Sequence, residues 1–498
     1  MEQHRKREMK GRQVIAIAAV LFSLFGLGVA ASSADTARPD VLMVIVDQWN
    51  PRFMNYEPGS QVITPNLDRL AKQGLAFLSC YSPSPVCVPA RTSLITGRYP
   101  HNQGHGAWSN PNNHFVDPRF ARFFHDVRAA GYVVGQVGKL HWHSGPAMQE
   151  QFGSRKAYYE LMGVDFVEDI SGYHKEFAEY LRERNLLNAC EDDYKKRMLE
   201  SPYVPNPSIL EAGDHLDSYV ARAGAKAILR QPKDKPLCII VSFPGPHPPL
   251  DAPHAYVDKY DPEAIELPPN VPEQIERDGI AYDHDGVRRM YANYMGKMTL
   301  IDEGIGKLVH ALQERGTWDE TLFIFTADHG EMIGSHGVCS KGRPWEESAR
   351  VPLLVRYPGQ ISPRQTRALA QLHDLYPTIV EAIGGTVSAE IHAVSLLPLA
   401  EARARSVREY VYCEVGRDPV SAMVRDDRYK WLVNKNIEYL FDMEADPYEM
   451  NNLIDSPQHA GIRDSLKAQM LSHLLTDPYN HAFDSKPKRQ RMLEADKL

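Results

Sequence analysis

The sequence predicts an α/β fold: a large mixed, mostly parallel sheet flanked by helices, followed by a small C-terminal α+β domain of antiparallel strands and one helix. Three observations carry this. Apolar, β-branched runs at Val41–Val46, Tyr132–Val137, Pro236–Phe243 and Thr321–Phe325 read as strands buried on both faces, the environment of a parallel sheet. Helical patterns bounded by Pro and Gly lie between them and supply the crossovers that parallel strands need. Beyond residue 400 the chain changes to short strand patterns joined by turn residues: Tyr410–Glu414, Ser421–Arg425, Tyr429–Val433 and Glu438–Phe441. A helix near Ile462–Leu475 follows.

The elements follow in order. A basic run (Arg5, Lys6, Arg7, Lys10, Arg12) precedes the apolar run Val14–Ala30 and the small residues Ala30–Ala34. This is the anatomy of a signal peptide over residues 1–34, and it implies export to the periplasm or outside the cell. The apolar run is long for such a segment, so an uncleaved membrane anchor is the alternative. A catalytic domain is expected over 35–400, the small domain over 401–480 and a loose tail over 481–498. Thr64-Pro65 opens a helix that Gly74 stops, and Leu75–Leu78 is a short strand. Arg119–Ala130 reads as a helix closed by Gly131. Lys175–Asn188 and Asp217–Leu229 read as amphipathic covering helices. In the long helix Asp285–Arg315, the stripe Met290, Tyr294, Met298, Ile301, Ile305 reads as core packing and nothing more.

Charge narrows the function classes. Cleavage after residue 34 removes five basic and two acidic side chains, so the net charge falls from −8 to −11. An acidic chain without a basic cluster excludes nucleic acid as a partner. A strongly sulfated polymer would also be repelled at long range unless the cleft is locally basic. The six cysteines are scattered, and no pair has zinc-site or redox spacing.

The chemistry-bearing residues cluster at strand ends. Asp47 ends the first strand and Asp328, followed by His329, ends the Thr321–Phe325 strand. Ligands in open α/β sheets bind beyond such ends, and two carboxylates there can close on one divalent cation. Cys87 lies at the mouth of a helix whose first turn holds Pro89 and Ala90 and whose end is Gly97. Unpaired N–H groups and the helix dipole favour an anion there, and Arg91 adds a forked cation. Lys139 and His141 follow a strand, and His247 sits in a stiff proline loop.

The string Cys87-Val88-Pro89-Ala90-Arg91, continued by Thr96-Gly97-Arg98, resembles the signature of the type I sulfatases of the alkaline phosphatase superfamily. Gly131-Tyr132 with Gly138-Lys139-x-His141 resembles their second signature, and Glu346–Leu354, Leu440-Phe441-Asp442 and Asp446-Pro447 resemble further runs. The resemblance extends from about Asp40 to Leu453 and implies an alkaline-phosphatase-like fold. It implies that Cys87 is oxidised to formylglycine (3-oxoalanine) by a formylglycine-generating enzyme. It further implies that Asp47, Gln48, residue 87, Asp328 and His329 hold one divalent metal, calcium first and manganese or magnesium as alternatives. Arg91, Lys139, His141, His247 and Lys341 would be the catalytic polar groups. In the mechanism so implied, Arg91 and the metal favour an ionised nucleophile, and Lys139, His247 and Lys341 neutralise the ester. His247 or Lys341 protonates the departing alcohol, and His141 is the base of the second step. Many family members carry Asp-Asp and Asp-Asn where this chain has Asp47-Gln48 and Asp328-His329, a set also found in members resembling choline sulfatases and phosphonate or phosphodiester hydrolases. The implied substrate is a sulfated small molecule or glycan, with phosphonate monoesters or phosphodiesters as the alternative and a non-catalytic sulfated-glycan binder as a third reading. Trp49, Asn102, His105, Trp108 and Trp142 hint at contacts with a sugar.

Overall fold

The computed structural model describes residues 38–103, 115–143, 149–150, 152–172, 175–416 and 421–475. The expected signal peptide, His105, Trp108 and the tail 481–498 lie outside the described residues. No helix among the described residues is long and apolar enough to cross a membrane.

The main sheet contains β1 (Val41–Asp47), β2 (Leu75–Tyr81), β3 (Val133–Gly138), β4 (Phe166–Asp169) and β5 (Leu237–Pro246). A separate hairpin is formed by β6 (Gln274–Arg277) and β7 (Ile280–Asp283). The main sheet continues with β8 (Leu322–Ala327), β9 (Arg350–Arg356), β10 (Arg364–Thr366) and β11 (Ala370–Gln371). Its order is β10-β2-β9-β8-β1-β5-β3-β4, with β11 also paired to β2. Strands β8, β1, β5, β3 and β4 run parallel, whereas β9 is antiparallel to both its neighbours. The chain returns from β8 to β9 without a long crossover helix, and such a short return reverses direction. Every residue of β1 is buried, and β5 and β8 flank it. The carboxyl ends of β1, β3, β5 and β8 therefore open side by side on one edge.

Five helices matter for the site: α1 (Pro65–Ala71), α2 (Cys87–Thr96), α3 (Leu216–Arg230), α4 (His284–Arg315) and α5 (Ala460–Leu475). The expected strands and the long helix match within a few residues, as does the α5 pattern. Three local expectations change. Lys175–Asn188 is two helices, Lys175–Glu183 and Leu187–Glu200, parted where Asn185 takes a left-handed backbone (φ 58°). The helix expected from Arg119 begins at Phe123. Gly74 does not stop α1, whose cap is Lys72; a Cβ there would lie 2.5 Å from the Val355 carbonyl oxygen, so it permits close strand packing.

The C-terminal sheet is an antiparallel meander of β12 (Val411–Val415), β13 (Ser421–Arg425), β14 (Tyr429–Asn434) and β15 (Ile437–Asp442). On one face Leu466 and Met470 of α5 pack with Val424, Trp431 and Leu440. The other face sets Cys413, Met423, Leu432 and Phe441 against Tyr81, Met332 and Trp345 of the larger sheet's layer. Full burial of each such side chain is worth about 1.5–3 kcal/mol. Lys430, fully buried, crosses this boundary and lies 3.0 Å from Glu346 and 2.7 Å from Glu449.

That one lysine serves two carboxylates. Burial pushes both up, but Lys430, Arg425 and Arg350 draw Glu346 well below its ordinary range, while Glu449, facing Glu346, stays raised. Lys430→Met should therefore cost about 3–5 kcal/mol, the usual result of unpairing a buried charge. Glu449→Gln keeps the oxygen that Glu346 N–H donates to but turns its amide N–H toward Lys430, so it should cost about 1–3 kcal/mol, less than the loss of Lys430. Denaturant midpoints at unchanged m-values read both; equal losses would overturn the assignment of the charge to Glu346.

Candidate active site

The site assembles at the open edge of the main sheet. At the end of β1 the register with β5 shifts between Val46 and Asp47, and Asp47 lies opposite Pro246. The Asp47 carbonyl then accepts from His247 N–H at 3.1 Å, tying the proline loop to the strand end. Gln48 turns away in a left-handed conformation (φ 70°), and its N–H donates to Asp328 Oδ1 at 3.1 Å. Such strain in a non-glycine residue persists only where its surroundings hold it. Gly330 permits the sharp exit from the Asp328-His329 segment, since a Cβ on it would sit 1.9 Å from the Glu347 carbonyl oxygen.

Cys87 occupies the first turn of α2, after an extended Val86. Its Sγ lies 2.9 Å from Lys341 Nζ, 3.2 Å from His329 Nε2 and 3.6 Å from Asp47 Oδ1. His141, at φ 55°, hydrogen-bonds the same sulfur. Arg91, one turn into α2, donates through Nε to Asp328 Oδ2 at 2.7 Å and lies 3.3 Å from Asp47 Oδ2. Its Nη1 donates to the Lys139 carbonyl at 2.9 Å and to Ser242 Oγ at 2.7 Å. Lys139 Nζ is 2.6 Å from Asp47 Oδ2, and Lys341 Nζ is 3.8 Å from Asp47 Oδ1. All ten residues expected from sequence therefore belong to one cluster or touch it.

Its electrostatics follow from burial against concentrated cations. Burial would raise the Asp47 carboxyl, but Lys139, then Lys341 and Arg91, hold it well below the usual range. Burial and Asp47 push the Cys87 thiol up, yet Lys341, Lys139 and His329 bring it well below its ordinary value. Asp328, raised by burial and by Asp47 despite Arg91, is the less acidic of the two carboxyls. Burial, reinforced by Lys341 and Lys139, holds His247 well below its ordinary value. Burial and then Lys139 lower His141 as well.

Four donor residues, Asp47, Cys87, Asp328 and His329, place ligand atoms all within 4.8 Å of one another. Two further details fit a cation. His329 Nδ1 lies 3.0 Å from the Gly330 carbonyl, which can only accept, so Nδ1 keeps its proton and Nε2, facing Cys87, is the nitrogen that can give up a proton and turn its lone pair to a cation. Gln48 Nε2 donates to Tyr203 OH at 3.3 Å and to Glu331 Oε2, and among the described residues the buried Gln48 Oε1 has no hydrogen-bond donor. Glu331 is itself fixed, since its Oε1 accepts from Ile333 and Ser340 N–H at 2.8 and 2.6 Å. This is the outer shell that orients metal ligands elsewhere.

Sequence reasoning missed the supporting residues Glu331, Tyr203, Ser242 and Lys297. Lys297 lies on α4, whose Met–Tyr–Ile stripe was read as packing alone, yet its Nζ donates to the carbonyls of His247 and Pro249, both at 3.0 Å. On the same stripe Tyr294 OH receives Asn50 N–H at 2.9 Å and donates to the Gln48 carbonyl. A signal existed: a lysine amid the apolar positions of a long helix needs a buried partner. Trp49 and Trp142 do not face a sugar. Both are core side chains, packed on Phe325 and Phe124. Asn102 is also buried.

Comparison with known proteins gives the same picture from another direction. A family profile described as Sulfatase matches residues 39–385, and one described as N-sulphoglucosamine sulphohydrolase, C-terminal, matches residues 334–475. The chain is 27% identical to an arylsulfatase of Clostridium perfringens, over 88% of this chain and 94% of that one. It is 29% identical to a choline-sulfatase of Rhizobium meliloti, over 85% and 84% of the two chains. Among solved structures it is similar to the phosphonate monoester hydrolase of Agrobacterium radiobacter, with a TM-score of 0.73 and 24% identity over 87% of this chain and 95% of that one. With most of its length inside the matched profile, the chain belongs to the sulfatase family of sulfuric ester hydrolases.

Proposed function

We propose that this chain hydrolyses the sulfate ester of a sugar or other small alcohol, using residue 87 after its conversion to formylglycine by a formylglycine-generating enzyme. Asp47, Gln48, residue 87, Asp328 and His329 would hold one divalent metal; carboxylate and amide oxygens suit calcium, and the imidazole suits manganese. The observation that carries the reading is the position of the Cys87 sulfur, in the first turn of α2 and within 3.6 Å of Lys341, His329 and Asp47, inside a chain of this family. Formylglycine supplies a hydrated aldehyde with two hydroxyls, and the metal supplies positive charge that favours ionising one of them.

The chain's own groups then divide the work. Arg91 and Lys139 keep Asp47 ionised and hold the two carboxylates together. Burial lowers Lys341, but Cys87 and Asp47 raise it further, so it stays protonated and can give a proton to the leaving oxygen. His247 cannot share that task. Its Nδ1 lies 2.6 Å from the Pro248 carbonyl and so carries the one proton of a neutral ring, leaving Nε2 a lone pair. His141, also held neutral, is the base beside residue 87.

A second reading, phosphonate monoester or phosphodiester hydrolysis, is favoured by the Gln48 and His329 donors in place of an all-oxygen, three-carboxylate set. Sulfate, phosphonate and phosphodiester derivatives of one phenol separate the two; the highest kcat/KM on the sulfate supports the first reading, and on a phosphorus ester the second. We also propose export, with mature protein beginning near Ala31–Asp35. Amino-terminal sequencing that recovers Met1 on a cytosolic product would overturn this.

Peptide mass spectrometry of active protein should find formylglycine at position 87, and Cys87→Ala should lose turnover; active protein carrying only cysteine contradicts the mechanism. Lys341→Ala should slow turnover about 10²–10⁴-fold, most on substrates with poor leaving groups. A loss independent of leaving-group pKa would remove Lys341 from the acid role. Glu331→Gln can offer its own amide to Gln48 Oε1, so metal affinity should fall about 10–100-fold in folded protein. Metal titration reads this directly, and an unchanged Kd would show that Gln48 is not a ligand.

A further inference from the structure

Away from the active site, two other groups of side chains among the described residues bring metal-ligating atoms together. In the first, His336 with Glu347 and Glu449, the carboxylates already have cations: Arg52 lies 3.1 Å from Glu347 and Lys430 2.7 Å from Glu449. The second is different. Glu414 on β12 is 1% exposed, and among the described residues no Lys or Arg side chain forms an ion pair with it. Its Oε1 instead meets His101 Nδ1 at 2.7 Å and His473 Nε2 at 2.8 Å, and its Oε2 accepts from His101 N–H at 3.2 Å. Burial pushes the Glu414 carboxyl up, yet hydrogen bonds and charge from the two imidazoles bring it below its ordinary range, so the cluster already draws positive charge to a buried carboxylate.

We propose that His101, Glu414 and His473 form a second metal site, of the zinc type, joining α5 and the C-terminal sheet to the segment that follows α2. Two imidazoles and one carboxylate are a zinc donor set, which water completes to a tetrahedron. The three ligand atoms lie within 4.8 Å of one another and come from three separate parts of the chain. Their orientation is held from outside. The His473 ring stacks on Tyr412 with centroids 4.0 Å apart at 6°, and Tyr99 meets its other side edge-on at 4.4 Å. Both histidines retain some exposure, 16% and 8% of their side chains, so an ion and its water can reach the cluster.

The exchange balances. Each ring must turn a nitrogen lone pair to the ion and stay neutral: an imidazolium releases to solvent the proton it shares with Glu414 Oε1, and a neutral imidazole moves that proton to its other ring nitrogen, while the carboxylate stays ionised and no electrons are transferred. Bonds of about 2.0 Å in a tetrahedron need donor atoms about 3.3 Å apart. The present 2.7 and 2.8 Å separations must therefore open by about half an ångström, a small rotation for the half-buried His101 ring.

The probe is zinc ion, titrated against a chromophoric chelator into the full chain. Asp328→Asn combined with Cys87→Ala removes two of the four clustered donors around residue 87 and isolates the proposed site; this double variant should still bind one zinc per chain. Adding Glu414→Gln or His473→Ala should weaken that zinc by more than the about 100-fold expected for losing an outer-shell contact alone. No zinc bound in the Cys87→Ala, Asp328→Asn double variant, or zinc retained with unchanged affinity after both additions, would overturn the proposal. Should those variants not fold, zinc-edge anomalous diffraction from wild-type crystals soaked in zinc decides. A peak within bonding distance of both imidazoles supports the site, and a peak confined to the Cys87 cluster refutes it.

Discussion

Two buried carboxylates at the ends of adjacent strands set the terms for the rest of the active centre. Asp47 and Asp328 close β1 and β8, which pair directly, and their ligand atoms lie within 4.8 Å of each other. At an effective dielectric near 20, two like charges at that distance repel by about 3 kcal/mol, before the cost of removing either from water. Almost every polar feature nearby answers this. Arg91 spans both carboxylates from α2, which explains why α2 must start where it does. Lys139, from the loop after β3, and Lys341, from the connection between β8 and β9, face Asp47. The same cations draw down the Cys87 thiol. The lowered thiol at residue 87 is thus a by-product of balancing charge, and a divalent cation would extend that balance.

Those cations also divide the histidines. His141 and His247 are buried beside lysines and are held neutral, whereas His329, beside Asp328, is raised. A single type of side chain is therefore held in opposite protonation tendencies within one cluster. Neighbouring backbone carbonyls select the tautomers: Pro248 for His247 and Gly330 for His329.

A second level of support comes from residues with no recognisable motif. Glu331 and Tyr203 orient the Gln48 amide, Tyr294 grips its peptide, and Lys297 holds the His247 loop. Tyr203 and Lys297 are far in sequence from the residues they steady. The burial of Lys430 between Glu346 and Glu449 works in the same way, fastening the small sheet to the segment that carries Lys341.

The sequence by itself determined the central strands β1, β2, β3, β5 and β8, the long helix and the antiparallel meander, and it singled out ten residues that the fold gathers at one end of the sheet. Each of these leaves a local record: a buried strand is a continuous apolar run, a helix end is a Gly or Pro, and Cys87 through Arg98 is a contiguous string. Only the tertiary structure decided the direction of β9, the split of the Lys175–Asn188 pattern, the core location of Trp49 and Trp142, and the partners of Glu331, Lys297 and Glu414. Hydrogen bonding and ion pairing act over about 3 Å in space and carry no period along the chain. His101, Glu414 and His473 are hundreds of residues apart at the extremes, so only the folded packing of α5 against β12 and the α2 segment brings them together.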